Sequence, residues 1–145
     1  MLLYPKKVKH RRWQTHRKSD ERLAGMVATR GTKVQFGSFA LKATSPARIT
    51  SRHIESARKV VTRGVGKLGK YWVRIFPDRP YTAKAAEVGM GKGKGNPEGF
   101  CFEVLPGRIL FEVDNLPEAE ARETLRKAGS KLPVTTKIIR RDEVV

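Results

Sequence analysis

Phe100–Leu105 (FCFEVL) and Arg108–Val113 (RILFEV), separated only by Pro106-Gly107, form the stretch that decides the fold class. Both segments are rich in aromatic and aliphatic residues of strand-forming type. A Pro-Gly pair suits the two central positions of a type II turn, because proline presets φ and glycine accepts a positive one. The pattern predicts two antiparallel strands joined as a hairpin.

Toward the C-terminus, Pro117 opens a predicted helix, with Glu118 and Glu120 early and Arg126 and Lys127 late, matching the helix dipole. Ala121, Leu125, Ala128 and Leu132 carry its apolar stripe, Gly129 sits near its end, and Val134–Ile139 supplies a last strand. Toward the N-terminus, Tyr71–Phe76 alternates as a strand and stops at Pro77-Asp78-Arg79-Pro80. Thr50 is a good N-cap for a helix from Ser51 to about Arg63, whose stripe is Ile54, Ala57 and Val61 with Val60 alongside. Lys33–Phe36 and Phe39–Ala43 read as short strands joined by Gly37-Ser38. Strands and helices intermix with no repeating βαβ unit and no internal repeat, and the chain has 145 residues. A single α+β domain follows, with two helices packed on mixed or antiparallel strands. The expected organisation is a basic extension over 1–32 and a globular part over 33–145, with an extended loop over 77–99.

Charge points to the partner. The chain has 31 Lys and Arg against 14 Asp and Glu, a formal net charge of +17. Residues 1–33 carry ten cations and two acids, 34–69 seven and one, and 70–99 six and three, whereas 100–145 balance eight against eight. A front half this basic repels itself unless a polyanion neutralises it. Nucleic acid does so with release of condensed counterions. The extension holds Lys6, Lys7, Lys9, Arg11, Arg12, Arg17, Lys18, Arg22 and Arg30 around one bulky aromatic, Trp13. Trp13 either stacks on an unpaired base or staples the arm to the domain. On the first helix, Arg52, Ser56, Lys59 and Arg63 recur at spacings of four, three and four, with Glu55 the one acid available to pair with them. Missing counter-charges favour RNA contact over a plain solvated face.

Several other chemistries are excluded. No apolar run approaches the roughly 18–20 residues of a membrane span, and no apolar stretch follows the first charges as a secretory signal requires. Cys101 is the sole cysteine, so no intrachain disulfide forms, and its spacing to His10, His16 and His53 matches no zinc motif. Gly64, Gly66 and Gly69 spell G-x-G-x-x-G, but they close a helix instead of opening one, so no dinucleotide site is expected. Met90-Gly91-Lys92-Gly93-Lys94-Gly95-Asn96 lacks the P-loop ending; alternating glycine and lysine instead makes a strip that can approach phosphates closely. No catalytic constellation is found: the histidines lie among cations, Glu118, Glu120 and Glu123 read as a solvated face, and Cys101 as a packed thiol. No cofactor or metal is expected.

The ordered motifs resemble one family, the L-sixteen proteins of the large ribosomal subunit in bacteria and plastids. Met1-Leu2 with Pro5-Lys6-Lys7, then Phe36–Ala43, then Ile49-Thr50-Ser51-Arg52 with Ile54-Glu55 and Ala57-Arg58 are similar to its opening, first strands and first helix. Most specific are Lys70, Trp72 and Arg74 with Phe76-Pro77-Asp78, Pro80 and Thr82, then the run Met90–Asn96, then Pro106-Gly107, Leu110, Glu112, Asp114 and Lys131-Leu132-Pro133. The chain departs from the family at Gly89, where many bacterial relatives carry arginine, in a longer arm between Arg12 and Phe36, and at Gly99-Phe100 in place of an aromatic pair.

The resemblance implies an α/β-hammerhead type of fold and a non-catalytic constituent of the large subunit that joins late in assembly. It implies as partners large-subunit (23S-type) rRNA, neighbouring ribosomal proteins, and aminoacyl-site tRNA near the peptidyl-transferase centre, with peptidyl-site tRNA the second candidate. No membrane is involved. The location implied is the cytoplasm, or organelle stroma for a plastid-encoded chain. Lys6, Lys7, Lys9, Arg11, Arg12, Arg52, Lys59, Arg63, Lys70 and Arg74 are the expected rRNA-binding residues. Met90, Gly91, Lys92, Gly93, Lys94 and Gly95 form the expected tRNA-proximal loop. The alternatives are an RNA-modifying enzyme, another basic RNA-binding protein or a membrane-active basic protein; the first needs an acid–base or cofactor site that the sequence does not offer.

Overall fold

Residues 3–14 and 25–143 are described by a computed structural model. In chain order they form β1 (Phe39–Ala43), β2 (Ala47–Thr50), α1 (Ser51–Val65), β3 (Lys70–Val73), β4 (Arg79–Ala83), β5 (Asn96–Val104), β6 (Ile109–Asp114), α2 (Glu118–Gly129) and β7 (Thr136–Arg140), then a short 3-10 turn over Arg141–Glu143. The α+β class expected from the sequence holds. All pairings are antiparallel, in a four-stranded sheet of order β3-β6-β1-β7 and a three-stranded sheet of order β2-β5-β4.

Pleating sorts the four-stranded sheet into two faces. Phe39 and Leu41 on β1 lie opposite Val113 and Phe111 on β6, and Tyr71 and Val73 on β3 pair with the same two residues. This inner face packs against both helices through Ile54, Ala57 and Val61 of α1 and Ala121, Leu125 and Ala128 of α2, all fully buried. Burying one such Leu, Ile or Phe side chain contributes about 1.5–3 kcal/mol, so this layer supplies most of the fold's stability. The outer face carries Ala40, Glu112, Ile139 and Trp72 and is covered in part by Val34 and the chain that follows it.

The expected hairpin does not form. Pro106-Gly107 does turn the chain: Gly107 has φ 96°, and the Arg108 N–H donates to the Leu105 carbonyl at 3.2 Å. The flanking strands, however, belong to different sheets, β5 to the three-stranded one and β6 to the four-stranded one. A type II turn twists against the right-handed twist of paired strands and splays them. The turn is therefore the bridge between the sheets.

Other boundaries also shift. Lys33–Phe36 is not a strand, because the N–H groups of Gln35, Phe36 and Gly37 point at the Glu112 carboxylate and not at a neighbouring backbone. The strand expected over Tyr71–Phe76 is Lys70–Val73; past it the Arg74 N–H makes one more bond, to the Leu110 carbonyl at 2.9 Å, and the chain then crosses toward β4. The last strand begins at Thr136 and ends at Arg140. β2 and β4 have no counterpart among the strands expected from the sequence. Within 77–99, β4 and the start of β5 form a long hairpin, leaving 84–95 as its tip. The expected arm over 1–32 is not separate throughout: the Ala28 N–H donates to the Pro106 carbonyl and the Ile109 N–H to the Gly31 carbonyl, both at 2.8 Å.

Candidate nucleic-acid interface

α1 is a well-specified helix. The Thr50 hydroxyl accepts from the His53 N–H at 3.4 Å, while the His53 Nδ1 accepts from the Thr50 N–H at 3.3 Å, a reciprocal cap. Burial of Ile54, Ala57, Val61 and Val65 fixes its rotation, and this turns Arg52, Ser56, Lys59 and Arg63 outward, all exposed. Glu55 is turned inward. It accepts from Arg58 Nε and Nη2 at 2.8 Å each, and these hydrogen bonds are the main reason its pKa is lowered to about 2. Arg58, raised above the usual guanidinium range chiefly by Glu55, also donates to the Tyr71 hydroxyl at 3.2 Å. The helix's one acid is thus consumed internally. Among the described residues, Arg52, Lys59 and Arg63 form no ion pair.

The β4–β5 tip carries the glycine-lysine run. Gly91, Lys92 and Gly93 take φ of 102°, 55° and 88° in succession. Glycine adopts these angles without steric cost, and a Cβ at Gly91 or Gly93 would meet nothing, so backbone shape rather than packing requires glycine there. The Lys84 ammonium donates to the Gly91 carbonyl, tying the tip to its own base. Met90 projects fully into solvent, Lys92 is exposed, and Gly95 closes the hairpin.

The arm lies beside this hairpin. Tyr4, Pro5, Lys6, Lys7, Val8 and Arg11 face Pro80 and Pro97–Phe100 across a cleft of about 560 Å³. Arg12 donates to the Asn96 side chain at 3.4 Å, the Lys94 ammonium donates to the Trp13 carbonyl, and the Arg79 guanidinium sits 5.8 Å from the centre of the Trp13 ring. Of the two roles open to Trp13, the geometry supports the staple. Lys6, Lys7, Lys9, Arg11 and Arg12 remain exposed. Arg17, Lys18 and Arg22 lie outside the described residues.

The remaining expected cations divide. Lys70 is exposed at the start of β3, an edge strand. Arg74 is largely covered on the outer face of the sheet, paired with the fully buried Glu112 and donating to the Gln35 side chain at 3.2 Å. Lys94 is likewise partly committed, to the arm. Sequence reasoning missed Arg79, which pairs with Glu103 and thereby fixes the guanidinium under Trp13. It also missed Arg108, which donates to the Arg30 carbonyl at 2.8 Å and lies 5.3 Å from the Phe102 ring; burial, then the nearby Arg74, lowers its pKa. No local spacing marks either residue, since both partners are distant in sequence. Among the described residues no group of His, Cys, Asp and Glu could hold a metal ion, and no helix is long and apolar enough to cross a membrane.

Residues 5–139 match the family described as Ribosomal protein L16p/L10e. A protein of Parabacteroides distasonis named large ribosomal subunit protein uL16 is 53% identical over 142 residues, covering 97% of this chain and 94% of the relative. A protein of Halorhodospira halophila with the same name is 47% identical over 140 residues, covering 97% and 98%.

Proposed function

Because the chain belongs to the ribosomal protein L16p/L10e family, it is a structural constituent of the large ribosomal subunit and not an enzyme, and we propose that it grips large-subunit rRNA with its exposed cations while holding the hairpin tip toward tRNA. One observation carries the reading: Arg52, Lys59 and Arg63 line one exposed flank of α1, and among the described residues no carboxylate pairs with them. An unpaired cationic row on a rigid helix suits consecutive phosphates across a groove. Lys6, Lys7, Lys9, Arg11, Arg12 and Lys70 add charge from the arm and the β3 edge. Arg74 acts indirectly, by holding the chain at Gln35 and Phe36.

The tip, 84–95, reaches aminoacyl-site tRNA, with Lys92 the tip lysine that has no hydrogen-bond or ion-pair partner among the described residues, and peptidyl-site tRNA is the second contact. Late joining of the subunit and help in shaping its functional centre follow from this position, in the cytoplasm for a ribosome of bacterial type. The chemistry of translation belongs to the RNA.

Salt dependence tests the grip. Every phosphate that a cation neutralises contributes about 0.7–0.9 to the steepness with which log affinity falls against log salt. Replacing Arg52, Lys59 and Arg63 together with alanine should flatten the slope for large-subunit rRNA by about 2 and strip the protein from subunits in a salt wash that wild type survives. An unchanged slope and unchanged retention would overturn the proposal.

A further inference from the structure

The outer face of the four-stranded sheet holds an aromatic stack that the helix flank and the tip do not use. Trp72 and Arg74, two residues apart on and just past the edge strand β3, point to the same side of the sheet. The Phe36 ring rests on both. Its centre lies 5.9 Å from the Trp72 ring at an interplanar angle of 22°, and 4.9 Å from the Arg74 guanidinium carbon. Glu112 locks the stack from below, accepting the Phe36 and Gly37 N–H groups at 2.6 and 2.8 Å and pairing with Arg74. Phe36 is nevertheless 51% exposed. A large aromatic ring held rigidly against water is a costly surface unless something covers it.

The surroundings select what covers it. Lys42, Lys70 and Lys137 occupy outer-face positions of the same sheet, Lys42 opposite Lys137 and Lys70 at the β3 edge. Of the two carboxylates on this face, Glu112 is sealed in its pair, and Asp114 accepts the Ser38 hydroxyl. An aromatic step backed by a guanidinium, with Lys70 on its own strand and Lys42 and Lys137 farther across the same face, matches a nucleotide, whose base stacks while its phosphates meet the cations. We propose that the exposed Phe36 ring, held by Trp72 and Arg74, is a stacking platform for one unpaired RNA base. This rests on the RNA-binding reading above and adds to it a base contact separate from the phosphate-facing flank of α1.

The test compares two ten-nucleotide RNA strands of equal charge, oligoadenylate and its abasic counterpart, by fluorescence anisotropy at low salt. Stacking of one base is worth roughly a tenfold change in affinity. Wild type should therefore prefer oligoadenylate about tenfold, Phe36→Leu should abolish the preference, and Phe36→Tyr should retain it, with unchanged thermal midpoints showing that the exposed position tolerates both. Equal binding of the two strands by wild type, or an intact preference in Phe36→Leu, overturns the platform. Failure of wild type to bind either strand overturns the RNA-binding reading itself. Competition with large-subunit rRNA or with tRNA then identifies the source: the competitor whose advantage disappears in Phe36→Leu supplies the base, and if neither does, the platform is refuted.

Discussion

Replacing Glu112 with glutamine removes a charge from a site that solvent does not reach. The carboxylate holds the Arg74 guanidinium on Oε1 and the Phe36 and Gly37 N–H groups on Oε2, with the Gln35 N–H at 3.3 Å from both oxygens. A glutamine amide keeps one acceptor and turns an NH₂ toward groups that are themselves donors. Removing one partner of a buried pair costs about 3–5 kcal/mol, and a buried N–H left without an acceptor adds about 1–3. Arg74 keeps 14% of its side chain exposed and can regain some hydration, and Gln35 and Phe36 can turn toward water. The destabilisation therefore falls at the low end, about 3 kcal/mol. With a urea slope of about 2 kcal/mol per molar, the unfolding midpoint drops by about 1–2 M. Replacing Glu112 and Arg74 together with leucine removes both charges and should recover at least half of the stability that Glu112→Leu alone removes. A midpoint shift below about 0.5 M for Glu112→Gln, or a double variant as unstable as the sum of its singles, would refute this view of the pair.

Three further outcomes are expected. A Cβ at Gly64 would lie 2.4 Å from Thr124 Oγ1 where α1 crosses α2, so Gly64→Ala should cost about 1–3 kcal/mol despite alanine's better helix propensity, and Thr124→Ala should rescue it in thermal unfolding. Glu55 titrates at about 2 in the folded protein against an ordinary value of 4.5; its contribution is complete above pH 4.5 and disappears as pH falls through 2, so Glu55→Gln should flatten the fall of the urea midpoint between about pH 5 and 2. Lys92→Ala should weaken tRNA binding by assembled subunits without loosening the arm. Lys94→Ala should instead expose the arm to limited proteolysis near Trp13, because it removes the bond to that carbonyl; equal behaviour of the two variants contradicts the division.

Local signals in the sequence carried the helices well. Thr50, the Ile54–Ala57–Val61 stripe and the Ala121–Leu125–Ala128–Leu132 stripe all reappear as cap and buried face, because a helix satisfies its backbone internally and its rotation is set by which residues are apolar. Strands were less legible. β4 contains Pro80 and β5 starts beside Pro97, and proline in a strand pattern reads as a break; β4 escapes that penalty because it is an edge strand. Turn chemistry at Pro106-Gly107 was right while the pairing it suggested was wrong, since a turn says nothing of which distant strand each neighbour joins. Arg74 shows the same limit at the candidate site. Its type and position look like an RNA contact, and only the fold brings Glu112, 38 residues away, to meet it. Lys92 and the α1 cations need no long-range partner to stand out as candidates, because among the described residues they are exposed without a paired counter-charge.

The position of the chain in a reconstituted large subunit is the most direct test of the rRNA grip. Arg52, Lys59 and Arg63 should lie within reach of rRNA phosphates, and residues 84–95 should be directed at the aminoacyl site with Lys92 foremost. A particle in which that flank of α1 faces solvent, or in which the β4–β5 tip points away from the tRNA path, would contradict it.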